Sequence, residues 1–157
     1  MDEKGFTLIE LLITITILAI LASVVMPLSQ MSVKRSKEME LREDLRVMRT
    51  AIDGYKRAWD EGKIKRSANE SGYPPDLETL VEGVEDASSP AGGKKIRFLR
   101  RVPRDPMNPD PALEPHETWG LRSYDSDPDE PEEGPDVFDV YSRSEDIAID
   151  GTPYRSW

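Results

Sequence analysis

The sequence predicts an α+β fold, one long amino-terminal helix packed on a small carboxy-terminal antiparallel β-sheet domain. Three observations predict it. Residues 6–26 are apolar almost throughout and carry one charge, Glu10. Leu41, Leu45, Met48, Ile52, Tyr55 and Trp59 then recur at steps of 4, 3, 4, 3 and 4, the spacing of one helical face. Beyond residue 63 the pattern changes to short β-branched and aromatic runs bounded by Gly and Pro, the pattern of short strands.

The first run, Phe6-Thr7-Leu8-Ile9-Glu10-Leu11-Leu12 and onward to Met26, is long enough to cross a bilayer. About 20 apolar residues match a hydrocarbon core of about 30 Å. A cleaved secretory signal has a shorter apolar region, a basic start and a small-residue cleavage site. Here the apolar run starts almost at once and no such site is clear. Glu10 is costly inside a span and persists where it finds a partner. At the membrane surface it would do no more than offset its own helix dipole.

Pro27 lacks a backbone N–H and clashes with the preceding turn. The apolar pattern resumes after it, so a bend is expected there and not a stop. Glu38, Arg42, Glu43, Asp44, Arg46, Arg49, Asp53, Lys56 and Arg57 lie between the stripe positions and read as a solvated face. Gly62 is the expected stop. A helix from residue 6 to 61 would span roughly 80 Å. The expected organisation is a leader at 1–5, a membrane segment at 6–28, an amphipathic half-helix at 29–62 and a small domain at 63–157.

In that domain, Gly72-Tyr73-Pro74-Pro75 is a turn signal. Asp76-Leu77-Glu78-Thr79-Leu80-Val81 reads as a short helix capped by Asp76. Residues 90–93 are expected as a loop. Trp119-Gly120-Leu121-Arg122-Ser123-Tyr124 and Val137-Phe138-Asp139-Val140-Tyr141-Ser142 read as strands, joined by an acidic, Pro-rich loop at 125–135.

Lys4-Gly5-Phe6-Thr7-Leu8-Ile9-Glu10-Leu11-Leu12 resembles the processing signal of type IV pilins and pseudopilins. The resemblance implies that a prepilin peptidase cuts between Gly5 and Phe6 and methylates the new amine on Phe6. It also implies that Glu10 meets the Phe6 amine of a neighbouring subunit, and that Pro27 bends the helix within the assembly. The leader departs from the usual basic pattern, with Asp2 and Glu3 beside Lys4, while Lys34, Arg35 and Lys37 follow the span. The membrane orientation is therefore taken from the family and not from the charges.

Several later pieces are similar, in order, to the major (G-type) pseudopilin family of type II secretion. They are Gly72-Tyr73-Pro74, Leu77-Glu78-Thr79-Leu80, Phe98-Leu99-Arg100-Arg101-Val102-Pro103-Arg104-Asp105-Pro106, Trp119-Gly120, Phe138-Asp139-Val140-Tyr141-Ser142 and Trp157. The chain has no Cys, which excludes a disulfide and thiolate chemistry and fits the pseudopilin side of the superfamily. The implied function is a non-enzymatic subunit of a helical homo-oligomeric filament in the periplasm. Its implied partners are prepilin peptidase, minor pseudopilins, an inner-membrane assembly platform and membrane lipid. A surface pilus for adhesion, motility or DNA uptake is the alternative, and a membrane-tethered binding or enzymatic domain a third.

The net charge is −10. From residue 105 onward 15 acids face only Arg122, Arg143 and Arg155. Such a surface repels phosphate backbones, so no nucleic-acid partner is expected. The cluster of six cations from Lys94 to Arg104 could form a nucleic-acid patch, and the reading preferred over that is a complement to the acidic tail of the same or a neighbouring subunit. No organic cofactor is expected. The family resemblance raises calcium in the loop after the last strand, with Glu145, Asp146 and Asp150 as candidate ligands. Ile147 and Ile149 between them read as packing residues. Asp125-Ser126-Asp127-Pro128-Asp129 is a weaker candidate, because it lacks the glycine at the sixth position and contains Pro128. His116, the sole histidine, has no recognisable catalytic or zinc partners and reads as a surface residue. Trp59, Trp119 and Trp157 read as core or interface.

Overall fold

The computed structural model describes residues 7–66, 70–89 and 93–157. The expected leader at 1–5, Phe6, and most of the expected loop at 90–93 lie outside the described residues. Residues 1–36 and 37–157 form two units, and helix α1, Leu8–Asp60, contributes to both.

Thr7 opens α1. Its carbonyl accepts the Leu11 N–H at 3.1 Å and its hydroxyl accepts the Glu10 N–H at 3.3 Å, which satisfies donors that the first turn leaves orphaned. The helix continues through Pro27, so that residue does not end the span. It closes on a Schellman motif at the expected glycine. Gly62 takes φ 73°, its N–H reaches the Trp59 carbonyl and the Lys63 N–H reaches Ala58, both at 2.9 Å. Only a glycine adopts that left-handed turn without cost.

In the second unit the stripe from Leu41 to Trp59 is buried, joined by Ala51 and Ala58. It forms one core cluster with Leu77, Leu80, Leu99, Trp119, Val137, Val140 and Tyr154. Helix α2, Leu77–Glu82, follows its expected cap: the Asp76 carboxylate accepts from the Thr79 N–H and hydroxyl, both at 2.7 Å. Leu77 and Leu80 face the core.

Among the described residues the β structure forms two separate two-stranded antiparallel sheets. β1, Val84–Glu85, pairs with β2, Lys95–Ile96. Neither of these was legible, since two-residue strands with one charged position each carry no alternation. β3, Trp119–Arg122, pairs with β4, Asp139–Ser142, Trp119 opposite Ser142 and Arg122 opposite Asp139. Gly120 permits this pairing, because a Cβ there would lie 2.3 Å from the Tyr141 ring. The acidic loop closes at its base on Asp136, which accepts from the Ser123 hydroxyl at 2.8 Å and the Tyr124 N–H at 2.9 Å.

The segment leading into β3 is anchored by buried polar groups. The Trp119 indole donates to the Pro103 carbonyl at 2.8 Å. The Asp105 carboxyl accepts from Ser142 at 2.6 Å and from the Met107 N–H at 2.8 Å. Burial pushes the Asp105 carboxyl above the usual range, against the effect of the Ser142 hydrogen bond.

Candidate functional site

The first unit carries the apolar amino-terminal part of α1. Leu8, Ile9, Leu11, Leu12 and Ile13 at its start and Met26, Leu28 and Met31 after the middle are all more than half exposed. No core residue of the chain lies among them. The polar side chains within the run are folded back on the helix. Thr14 donates to the Leu11 carbonyl at 2.8 Å, Thr16 to Leu12 at 2.7 Å and Ser23 to Ile20 at 2.7 Å. Ser and Thr can satisfy their hydroxyls this way without water, as hydrocarbon surroundings demand. Glu10 stands exposed in the first turn of α1. The apolar helix is long enough, by length and composition, to cross a membrane.

In the second unit, polar residues of α1 hold the carboxy-terminal segment. Glu38 is only 6% exposed. Its Oε1 accepts the Ile149 N–H and the Tyr154 hydroxyl, each at 2.8 Å. Burial and the adjacent Glu38 carboxylate hold the Tyr154 hydroxyl well above its ordinary pKa. Arg49 donates to Asp139 at 2.7 Å, to the Val140 carbonyl at 3.1 Å and to the Trp157 carbonyl at 2.6 Å. Arg42 reaches Asp150 at 3.2 Å and lies 4.1 Å over the Trp157 ring. These three residues were expected on a solvated face. Their partners lie roughly 90 to 116 positions away in the chain, so helical spacing alone could not reveal them.

The candidate calcium residues do not converge. Among the described residues no group of three His, Cys, Asp or Glu side chains could hold a metal ion. Asp150 instead caps its own turn, accepting from the Thr152 N–H at 3.0 Å and hydroxyl at 2.6 Å. Ile147 and Ile149 are 58% and 43% exposed, so they are not the packing residues their apolar character suggested. The turn between Ala148 and Thr152, with Gly151 at φ 89°, directs them outward. His116 lies in a 3-10 turn, Pro115–Thr118, with Nδ1 3.5 Å from Glu78 at the surface.

Asp44 is a strongly perturbed carboxylate. Burial first, then Glu40, Glu43 and Asp105, push it up to about 6, against the pull of Arg101. It shares a shallow hollow with Val47, Phe98, Leu99, Arg100, Arg101 and Pro103. Lys94 and Lys95 line a neighbouring hollow with Arg57, Lys63, Glu61 and Asp86, and these two acids lie outside the acidic tail from residue 105 onward.

A family model described as a prokaryotic N-terminal methylation motif matches residues 1–26. The type II secretion system core protein G of Aeromonas hydrophila is 31% identical over 114 residues, covering 72% of this chain and 74% of that protein. The protein of the same name from Pseudomonas aeruginosa is 30% identical over 118 residues, covering 73% and 75%. The chain belongs to the core protein G family of type II secretion systems. Fimbrial protein Q of Moraxella bovis is 35% identical over a shorter stretch, 44% of each chain. No solved structure matches significantly. As a core protein G relative, this chain pairs the methylation-motif stem with a compact second unit whose carboxy-terminal segment is tied to α1 by Glu38, Arg42 and Arg49.

Proposed function

We propose that this core protein G relative is a structural, non-enzymatic subunit of the pseudopilus, the periplasmic filament of a type II secretion system. The observation that carries the reading is the stem itself. It is an apolar half-helix whose described large apolar residues between Leu8 and Val33 are exposed, with one acid, Glu10, at its start. Apolar surface of that extent is favourable only against lipid or other protein. The subunit first sits in the inner membrane by this helix, with residues 63–157 on the periplasmic side. Prepilin peptidase cuts between Gly5 and Phe6 and methylates Phe6. The stems then bundle, each Glu10 meeting the amine of a neighbouring Phe6, with Pro27 letting the helix adjust its path. Minor pseudopilins and an inner-membrane platform complete the machine.

The test is Glu10→Ala expressed in the native secretion background. Insertion and cleavage should remain at the wild-type level, read by membrane fractionation and by mass at the new amino terminus. Pseudopilus formation and export should fall at least tenfold, since loss of a partnered charge costs about 1.5–3 kcal/mol. Filaments in normal number from the variant would overturn the role given to Glu10.

A further inference from the structure

The resemblance to G-type pseudopilins brings an expectation of calcium in the loop after β4, and the residues present do not fit one. Calcium takes six to eight oxygens at about 2.3–2.6 Å. Here the Asp150 carboxylate and two carbonyls of that loop are already engaged, and Glu145 and Asp146 form no metal-holding group with it among the described residues. Asp150 Oδ1 accepts from the Thr152 N–H and hydroxyl, and Oδ2 faces Arg42. The Asp146 carbonyl accepts the Tyr154 N–H at 3.2 Å, and the Ala148 carbonyl accepts the Gly151 N–H at 3.0 Å. A guanidinium beside Asp150 also repels a second cation.

We propose that residues 143–157 are fastened by a latch built from Glu38, Arg42 and Arg49 of α1, and that this latch does the work of a divalent cation. Spacings of four and seven residues place the three on one side of the helix. Arg49 acts as the oxygen collector. Its planar fork gathers a carboxylate and a carbonyl from β4 together with the Trp157 carbonyl, a geometry suited to a guanidinium. Arg42 neutralises Asp150 and covers the Trp157 ring. Glu38 supplies the opposite charge and takes two donors from the segment. A buried carboxylate with two donors is stabilised, and removing either donor leaves it under-satisfied. The segment adds its own closure, with Ile147 bridged to Pro153 and the Ala148 N–H on the Thr152 carbonyl at 2.8 Å. All three latch groups are covalently part of the chain, so a chelator has nothing to remove. The proposal concerns the fold of one subunit and stands apart from the filament reading, so failure of either leaves the other intact.

The experiment uses the full-length chain in mild detergent, digested with trypsin in calcium chloride or in excess EGTA. Cleavage after Arg143 and after Arg155 is followed by mass spectrometry, and near-ultraviolet dichroism reports the melting midpoint. The wild type should show the same cleavage rate and midpoint in both media. Tyr154→Phe and Glu38→Gln should speed cleavage after Arg143 by about tenfold in both media, since each removes or weakens a hydrogen bond to a charged group. Calcium should restore neither. Faster cleavage of the wild type in EGTA, reversed by calcium, would overturn the proposal. So would wild-type cleavage rates in Tyr154→Phe, the milder change and the one informative even if Glu38→Gln fails to fold.

Discussion

The two halves of α1 are written in similar residues and live in opposite circumstances. From Leu41 to Trp59 the large apolar residues are buried, Leu41 and Met48 completely. From Leu8 to Val33 residues of the same kinds are exposed, Leu8 by 78%. The difference lies in what the rest of the chain offers. The carboxy-terminal half meets α2, Trp119, Val137, Val140 and Tyr154 in its own unit, whereas the amino-terminal half has no such partner among the described residues. A stripe with polar residues on its other side can be served by one small domain. A helix apolar on every side needs an environment that surrounds it.

A matched pair of truncations tests that contrast most strongly. Leu45→Ala should cost about 2–5 kcal/mol of fold stability, the range for a fully buried leucine. Its near-ultraviolet melting midpoint should drop by about 8 °C or more. Leu18→Ala, 64% exposed, should leave that midpoint within about 1 °C and reduce filament yield. Equal effects of the two on the midpoint would erase the division between the halves.

A smaller effect sharpens the picture of the second unit. Asp76→Ala removes the cap of α2 and should lower stability by about 1 kcal/mol, read as a shift in denaturation midpoint with unchanged slope. A pH-dependent effect concerns Asp44. Its folded-state pKa of about 6 lies above the ordinary 3.8, so the folded state holds the proton more tightly than the unfolded chain. The stability linked to that proton is complete below about pH 4 and is lost as pH rises toward and through 6. Asp44→Asn should therefore melt a few degrees higher than wild type at pH 7, and the advantage should vanish below pH 4. An advantage that persists at pH 3.5 would mean that the charge is not its cause.

Much of this architecture is legible in the residues. Periodicity of 3.6 places the buried stripe, Asp76 caps the short helix, Gly62 ends the long one, and aromatic alternation locates β3 and β4. Processing at Gly5 and Phe6 falls outside the described residues, and its support is the motif matched over residues 1–26. Other features escape because their cause is tertiary. Glu38 resembles any exposed helix acid until Tyr154 and the Ile149 amide arrive from the far end of the chain. Arg49 likewise has its oxygens on β4 and at Trp157. Ile147 and Ile149 suggest packing by composition, and a tight turn at Gly151 sets them outside. Local pattern reports what a segment can bury; it does not report which distant segment will come to meet it.

The inward-folded hydroxyls of Thr14, Thr16 and Ser23 have a consequence for traffic between environments. Each already holds its hydrogen bond within the helix, so these three hydroxyls carry no polar debt that depends on their surroundings, and Glu10 alone keeps one. Passing from acyl chains to the flanks of sister helices exchanges one dispersion contact for another and leaves those bonds intact. For these hydroxyls, leaving a bilayer or returning to it raises little dehydration barrier, and the cost of transfer is concentrated at Glu10.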